Sequence, residues 1–132
     1  MQNLNKDQVS HLVFVNEPGL NLHFHQEAGS SLKIHIINLP SLSSNCDVNN
    51  DIVVEQDGEG CNTEIYSLAY ARASQRITTH THIYHNVPGG RSVQLLKFVL
   101  DDKARGDFYG ELRILPNAQK VDAQQTNRNL LL

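Results

Sequence analysis

Apolar and polar residues alternate one by one along most of this chain. The alternation runs through residues 20–25 (LNLHFH), 32–36 (LKIHI) and 108–114 (FYGELRI). Because successive side chains of a β-strand point to opposite faces, each of these segments presents one apolar and one polar face. About nine segments follow this rule, none reads as an amphipathic helix, and 69–75 is ambiguous. The pattern predicts an all-β domain.

Short groups of turn-forming residues separate the strand segments. They are residues 17–19 (EPG), 28–30 (AGS), 56–60 (QDGEG), 87–90 (VPGG) and 116–117 (PN). Glycine adopts positive φ without strain and proline presets the φ of a turn, so we expect the chain to reverse or bend there. No clean internal repeat is visible, so the pattern leaves a sandwich, a jelly roll and a solenoid open.

Length and charge narrow the classes of function. The chain has 132 residues, a formal net charge of −3 and a pI near 6.1. The length suits one domain, and the lack of a basic stripe argues against a nucleic-acid partner. Three cations and three carboxylates mix over residues 97–107, which predicts a solvated turn of mixed charge.

The termini and the cysteines point to the cytoplasm. Residues 1–11 lack the apolar core of a secretory signal, and no run approaches the roughly 18 apolar residues of a membrane helix. We therefore expect a cytoplasmic protein with no membrane partner. Cys46 and Cys61 form no CxxC pair, so reduced thiols are expected, with one disulfide between them left open.

Seven histidines raise the question of a metal site. His80 and His82 share one strand face and His85 lies on the other, so the first two can supply two ligands of a zinc or iron site. Two ligands without a third nearby favour a surface role, and a cupin-type site would want a glutamate sooner than Glu111. We predict no catalytic residue, no metal ligand and no cofactor site. A small metal-dependent cupin-like β-barrel enzyme that uses His80 and His82 stays as the alternative.

The stretch 100–132 carries a longer and more specific signal than any of these motifs. It resembles the SufB/SufD family of iron–sulfur cluster assembly proteins, and the SufD branch most closely. The resemblance rests on these residues: Asp102–Gly106, Phe108, Gly110, Ala118–Lys120, Asp122–Gln125 and Asn127–Leu132. It continues more weakly through Arg76–Lys97. The runs 123–125 (AQQ) and 127–129 (NRN) favour SufD over SufB.

The resemblance implies a fold and a domain organisation. It implies a right-handed parallel β-helix, a single-stranded solenoid of stacked strands, with residues 1–132 as part of the core domain. The helical N-terminal part and the C-terminal part of the family are not in this sequence. The chain stops on Leu130, Leu131 and Leu132, inside an apolar segment, which predicts an excised piece.

The resemblance also implies a role and partners. Family members of this kind are non-enzymatic scaffolds of the SUF complex, where SufD works with SufB and SufC in cluster assembly and iron acquisition. The family histidine associated with the cluster lies in a segment beyond residue 132, so none of the seven histidines here inherits its role and no cofactor is expected in this piece. We expect the piece to self-associate through its apolar C-terminal edge at 130–132.

Overall fold

The computed structural model describes residues 1–17, 19–39 and 47–132, and in these ranges it contains ten strands and no helix. The strands are β1 (Gln2–Leu4), β2 (Val9–Val15), β3 (Gly19–Gln26), β4 (Ser31–Asn38), β5 (Val48–Gln56), β6 (Asn62–Ala71), β7 (Arg76–His85), β8 (Arg91–Leu100), β9 (Arg105–Ile114) and β10 (Asp122–Leu131). The all-β prediction is confirmed. No helix of the described residues is long and apolar enough to cross a membrane.

Consecutive strands lie in two different sheets. Sheet A has the order β1-β3-β5-β7-β9 and sheet B the order β2-β4-β6-β8-β10. Every pairing within them is parallel. Each coil of the chain therefore gives one strand to each sheet and rests on the previous coil, which confirms the parallel β-helix.

The coil length explains why no repeat was visible in the sequence. Register partners stand 22 residues apart in the first coil, where Gln2 pairs with Phe24. Later partners stand 29 apart, as in Ile52 and Thr81, or 31 apart, as in Ile34 and Ile65. A structural repeat exists, but its uneven period conceals it.

The corners of successive coils share a backbone conformation. One residue of positive φ marks the same corner in each coil: Asp7 (59°), Gly29 (72°), Gly60 (71°), Gly89 (78°) and Lys120 (58°). Hydrogen bonds join these corners, since the Gly29 amide donates to the Glu59 carbonyl at 2.9 Å and the Gly89 amide to that of Gln119 at 3.0 Å. The turn predictions at 28–30, 56–60 and 87–90 are thus confirmed. In the ambiguous stretch, β6 ends at Ala71 and a turn with Ala73 at φ 59° follows.

The space between the sheets is filled by the apolar face of each strand. Two clusters form the core, one around Phe24, Ile34 and Ile52 and the other around Ile77, Leu96 and Phe98. Buried polar side chains lie among them and pair with each other, as in Thr81 Oγ1 and Gln94 Oε1 at 2.6 Å. These pairs keep buried polar atoms bonded, which limits the cost of enclosing them.

The last coil differs from the coils below it. Leu112 and Ile114 occupy inward positions of β9, as the alternation predicted, yet they are 38% and 45% exposed. Within the described residues no further coil rests on β9 and β10, so their inward side chains are covered from one side only. The parity was predicted correctly, whereas the burial was not.

Candidate functional site

His80 and His82 lie on β7 and point away from the core, but both are only partly exposed. The His80 ring stacks on Tyr109, with 4.9 Å between the ring centroids and 18° between the planes. The His82 ring meets Glu111 through Nδ1 at 2.9 Å and Asp51 through Nε2 at 3.5 Å. Each imidazole is therefore engaged with a neighbouring coil rather than with the other imidazole.

The contact between His82 and Glu111 arises from the solenoid. The sequence places the carboxylate 29 residues after the histidine, and the β7–β9 register makes the two residues direct neighbours. The hydrogen bond from His82 lowers the pKa of the Glu111 carboxyl. The residues next to the histidine pair in the sequence do not reveal this partner, because one full coil separates Glu111 from His82.

The same outward face of sheet A carries further histidine–carboxylate pairs. His23 Nε2 lies 2.7 Å from Glu55 Oε2, and His25 pairs with Asp57. Within residues 1–17, 19–39 and 47–132, no group of three His, Cys, Asp or Glu side chains could hold a metal ion. The pairs join neighbouring coils across the surface and give this face its mixed charge.

The outward face of sheet B has a different composition, which the sequence interpretation missed. Its central strands place Tyr66, Leu68, Leu95 and Val99 on the outside. The Tyr66 hydroxyl donates to Glu64 Oε1 at 2.7 Å, and this bond lowers the pKa of the carboxyl and raises that of the phenol. The signal was present in residues 91–100 (RSVQLLKFVL), where three of the five outward positions of β8 (Val93, Leu95 and Val99) are apolar.

The prediction of a solvated turn over residues 97–107 is wrong at Lys97. The side chain lies on the outward face of β8, in register with Leu68, and not in a solvated turn. The turn itself is formed by residues 101–104, and the following Arg105 and Arg76 both contact Asp107. The mixing of positive and negative charges therefore holds for the turn and for Asp107, whereas Lys97 is not part of it.

A buried polar column forms the inner side of one corner. Gln26, Gln56 and His85 are register partners in three successive coils, and none is more than 1% exposed. Gln56 Nε2 donates to Thr63 Oγ1 at 2.7 Å, and His85 Nε2 lies 3.0 Å from Ser92 Oγ. Burial lowers the pKa of His85.

The open space beside this column is small. Gln56 Oε1 and His85 Nδ1 have no hydrogen-bond partner among the described residues, and both face Gly90. A Cβ at Gly90 would stand 2.2 Å from the first atom and 2.7 Å from the second. A side chain at position 90 would therefore crowd both unpaired atoms, and the column is closely packed at this corner.

The structure describes one of the two cysteines. Cys61 is a buried free thiol whose sulfur lies 3.1 Å from the carbonyl oxygens of Glu27 and Gly58. Cys46 lies outside the described residues. Cys61 thus fills a corner of the coil stack.

Comparison with known proteins agrees with the resemblance seen in the sequence. The family described as "SUF system FeS cluster assembly, SufBD core domain" matches residues 8–132. An iron–sulfur cluster assembly SufBD family protein of Synechocystis is 30% identical over 128 residues, which are 95% of this chain and 28% of the relative. The iron–sulfur cluster assembly protein SufD of Escherichia coli K12 is 37% identical over 76 residues, 58% of this chain and 18% of the relative. No solved structure matches the chain significantly.

These relatives are much longer than the chain, which spans 28% of one and 18% of the other. The family match, by contrast, covers nearly every residue, and the parallel coils occupy the same range. The chain belongs to the SufB/SufD family of iron–sulfur cluster assembly proteins and forms part of its core domain.

Proposed function

We propose that this chain is a scaffold element of the SUF system, on which other proteins assemble iron–sulfur clusters. The observation that carries the proposal is the family match over residues 8–132, which coincides with the stacked coils. Iron and the nascent cluster are cargo of the assembly, and the coils hold surfaces at fixed positions. This chain spans 28% of one relative and 18% of the other, so the activity and the partners of the whole protein are part of the proposal.

The ladders of the fold support a role that needs rigidity. Nine or ten residues of each strand from β5 to β10 pair with a neighbouring strand, and buried side chains fill the space between the sheets. Neighbouring coils are also tied on the outside, for example where His82 joins β7 to β9. A stack held in this way keeps side chains on distant coils at constant separations.

The proposed partners are SufB and SufC in the full-length protein, acting in the cytoplasm. The net charge of −3 offers no attraction for nucleic acid, in line with a protein-only assembly. SufD identity is supported by the Escherichia coli relative, which is itself named SufD. No step of the proposed role requires a resident cofactor in residues 1–132.

A catalytic role is not part of the proposal. The alternative, a cupin-like β-barrel enzyme, does not fit this fold, because the strands form two open parallel sheets rather than a barrel. His80 and His82, its proposed ligands, instead contact Tyr109, Glu111 and Asp51. These contacts favour a structural use of both rings.

Co-expression tests the scaffold proposal. The full-length protein, produced with the SufB and SufC of its own organism, should elute with both in one peak of size-exclusion chromatography. The complex reconstituted with iron and sulfide should then acquire the visible absorption of a cluster. Elution of the protein apart from both partners contradicts the proposal.

Two glycine variants show whether the coil stack is what the partners need. Gly58→Ala would place a Cβ 2.0 Å from the backbone nitrogen of Ala28, so neighbouring coils must separate. Gly60→Ala meets no atom within 4 Å and strains only its own φ of 71°. We expect the first variant to lose the complex and the second to keep it.

A further inference from the structure

The outward face of sheet B is built like a face that packs against another element. Leu68 on β6 is 42% exposed, and Val13 and Val15 on β2 are 57% and 52% exposed. The strand register places Ile37 beside Leu68 and Leu95 beside Tyr66, so the apolar side chains form one continuous patch. We call Ile37, Tyr66, Leu68, Leu95 and Val99 the apolar face.

A hollow lies within the apolar face. It has a volume of about 290 Å³, and its lining includes Tyr66, Leu68, Leu95 and Lys97. The rings of His35 and Tyr66 stack at 5.2 Å along one wall. A hollow of this size accepts one or two apolar side chains that project from a partner.

The charges around the apolar face are unequal. The carboxylates on this side are paired, since Glu64 contacts Tyr66 and Lys33, and Asp122 contacts Arg91. In residues 1–17, 19–39 and 47–132, Lys97 and Arg128 form no ion pair with any carboxylate, and they are register neighbours in the column of Leu68. Lys97 within the apolar face and Arg128 beside it on β10 are thus adjacent unpaired cations, which favour a partner with carboxylates at the matching positions.

The backbone of sheet B decides which element fits. The N–H and C=O groups of β4, β6 and β8 are used in the ladders, so a strand cannot add hydrogen bonds over this face. A helix satisfies its own backbone and offers a stripe of apolar side chains. The four strands from β4 to β10 span roughly 14 Å, a width that about three helical turns cover.

We propose that the apolar face binds an amphipathic helix of a partner protein, with the apolar stripe of the helix over Leu68 and Leu95 and its carboxylates against Lys97 and Arg128. The inference goes beyond the scaffold function, because it follows from the surface alone and needs neither a cluster nor SufC. The partner is identified by this chemistry: a helix with leucine-like residues at positions i, i+3, i+4 and i+7 and acidic residues beside them.

The probe is a synthetic helical peptide of about 18 residues with that leucine pattern and flanking glutamates, labelled for fluorescence anisotropy. We expect saturable binding to the 132-residue chain. Leu68→Lys should weaken binding by about tenfold or more, because it places a charge in the apolar contact. Val53→Lys, the matched change on the outward face of sheet A, should leave the affinity unchanged.

A charge exchange tests the orientation of the helix. The double variant Lys97→Glu with Arg128→Glu should weaken binding of the glutamate peptide by about tenfold or more, and a peptide with lysines in place of the glutamates should recover it. Far-UV circular dichroism of each variant checks that the coils are intact.

Three results would overturn the proposal. The first is no binding, or binding that Val53→Lys reduces as much as Leu68→Lys does. The second is concentration-dependent dimerisation that Leu68→Lys abolishes, since the face would then hold a second copy of the chain. The third is binding to phosphatidylglycerol vesicles that is stronger than to the peptide, which would assign the face to a lipid surface.

Discussion

The outward faces of the two sheets have the same backbone and opposite chemistry. On sheet A, histidines and carboxylates pair across coils, as His23 does with Glu55 and His82 with Glu111. On sheet B, the equivalent central positions hold Tyr66, Leu68 and Leu95. The polar side chains of the sheet A face are suited to exposure to water, whereas the apolar side chains of the sheet B face are not. The difference is the basis of the proposal that sheet A faces solvent and sheet B binds a partner.

Core substitutions should have the largest effect, and they separate inward from outward positions on both sheets. Ile65→Ala on β6 and Ile83→Ala on β7 remove fully buried side chains. Each should lower the free energy of unfolding by about 2–5 kcal/mol, as measured by urea denaturation. Leu68→Ala and Val53→Ala, on the outward positions, should cost about 1 kcal/mol or less. Equal losses at the four positions would show that the faces are assigned wrongly.

Acid should lower the free energy of unfolding through His85, which lies in the interior between the two sheets. Because burial lowers the pKa of His85 below its ordinary value of 6.5, the unfolded chain binds more protons than the folded chain once the pH falls below that value. The contribution of His85 is complete above pH 6.5 and declines, by at most about 1.4 kcal/mol per pH unit, until the pH has passed the lowered pKa.

The matched variant is His85→Gln, because glutamine already occupies the two register positions before it, at Gln26 and Gln56. Urea denaturation between pH 7.5 and pH 5, a range that brackets the ordinary histidine pKa, should show a smaller loss of stability for the variant than for the parent. Parallel curves for the two proteins would remove His85 as the cause.

The next prediction concerns self-association through the last coil. This coil is a third exposed region beside the two faces, and association through it could be mistaken for binding at one of them. Leu131 is 75% exposed, and β9 and β10 are edge strands in the described residues. Such edges recruit further strands, so we expect the 132-residue chain to dimerise and Leu131→Lys to dissociate it. Light scattering coupled to size exclusion measures both, with Val53→Lys, at an outward position of the inner strand β5, as the control. A parent that is monomeric at every concentration contradicts the expectation.

The smallest effect concerns salt. Glu111→Gln removes the carboxylate that accepts from His82 on the exposed face of sheet A. We expect a small decrease in Tm at low ionic strength that disappears near 1 M salt, because exposed ion pairs are screened. Leu68→Ser on sheet B should change Tm by the same amount at both salt concentrations. A salt-dependent effect at Leu68 would blur the distinction between the faces.

Alternation predicted the strands and their parity, because an inward face must be apolar whatever the coil length. Residues 32–36 and 108–114 show this clearly, and the outward direction of His80 and His82 followed from the same rule. The pairing of strands could not be read, because the coil period changes from 22 to 29–31 residues. The contact between His82 and Glu111 depends on that register. Gly29, Gly60 and Gly89, which stand at the same corner of successive coils, were the one local sign of this register in the sequence.

The apolar face escaped prediction for a related reason. In β8 apolar residues occur at both parities, so alternation alone does not distinguish Leu95 from Leu96. Only the register places Leu95 beside Tyr66 and Lys97 beside Leu68 and thereby shows that the outward residues form a patch. A surface assembled from three coils becomes visible when the coils are stacked.

Footprinting of tyrosines tests the contrast between the faces most directly, because each face carries two. Tyr66 and Tyr70 are on the outward face of sheet B, and Tyr84 and Tyr109 are on that of sheet A. The 132-residue chain is exposed to hydroxyl radicals alone and in complex with the helical peptide, and oxidation of each tyrosine is read by mass spectrometry. The account predicts that oxidation of Tyr66 and Tyr70 falls in the complex while that of Tyr84 and Tyr109 is unchanged. Protection of Tyr84 and Tyr109 with no change at Tyr66 and Tyr70 would contradict it.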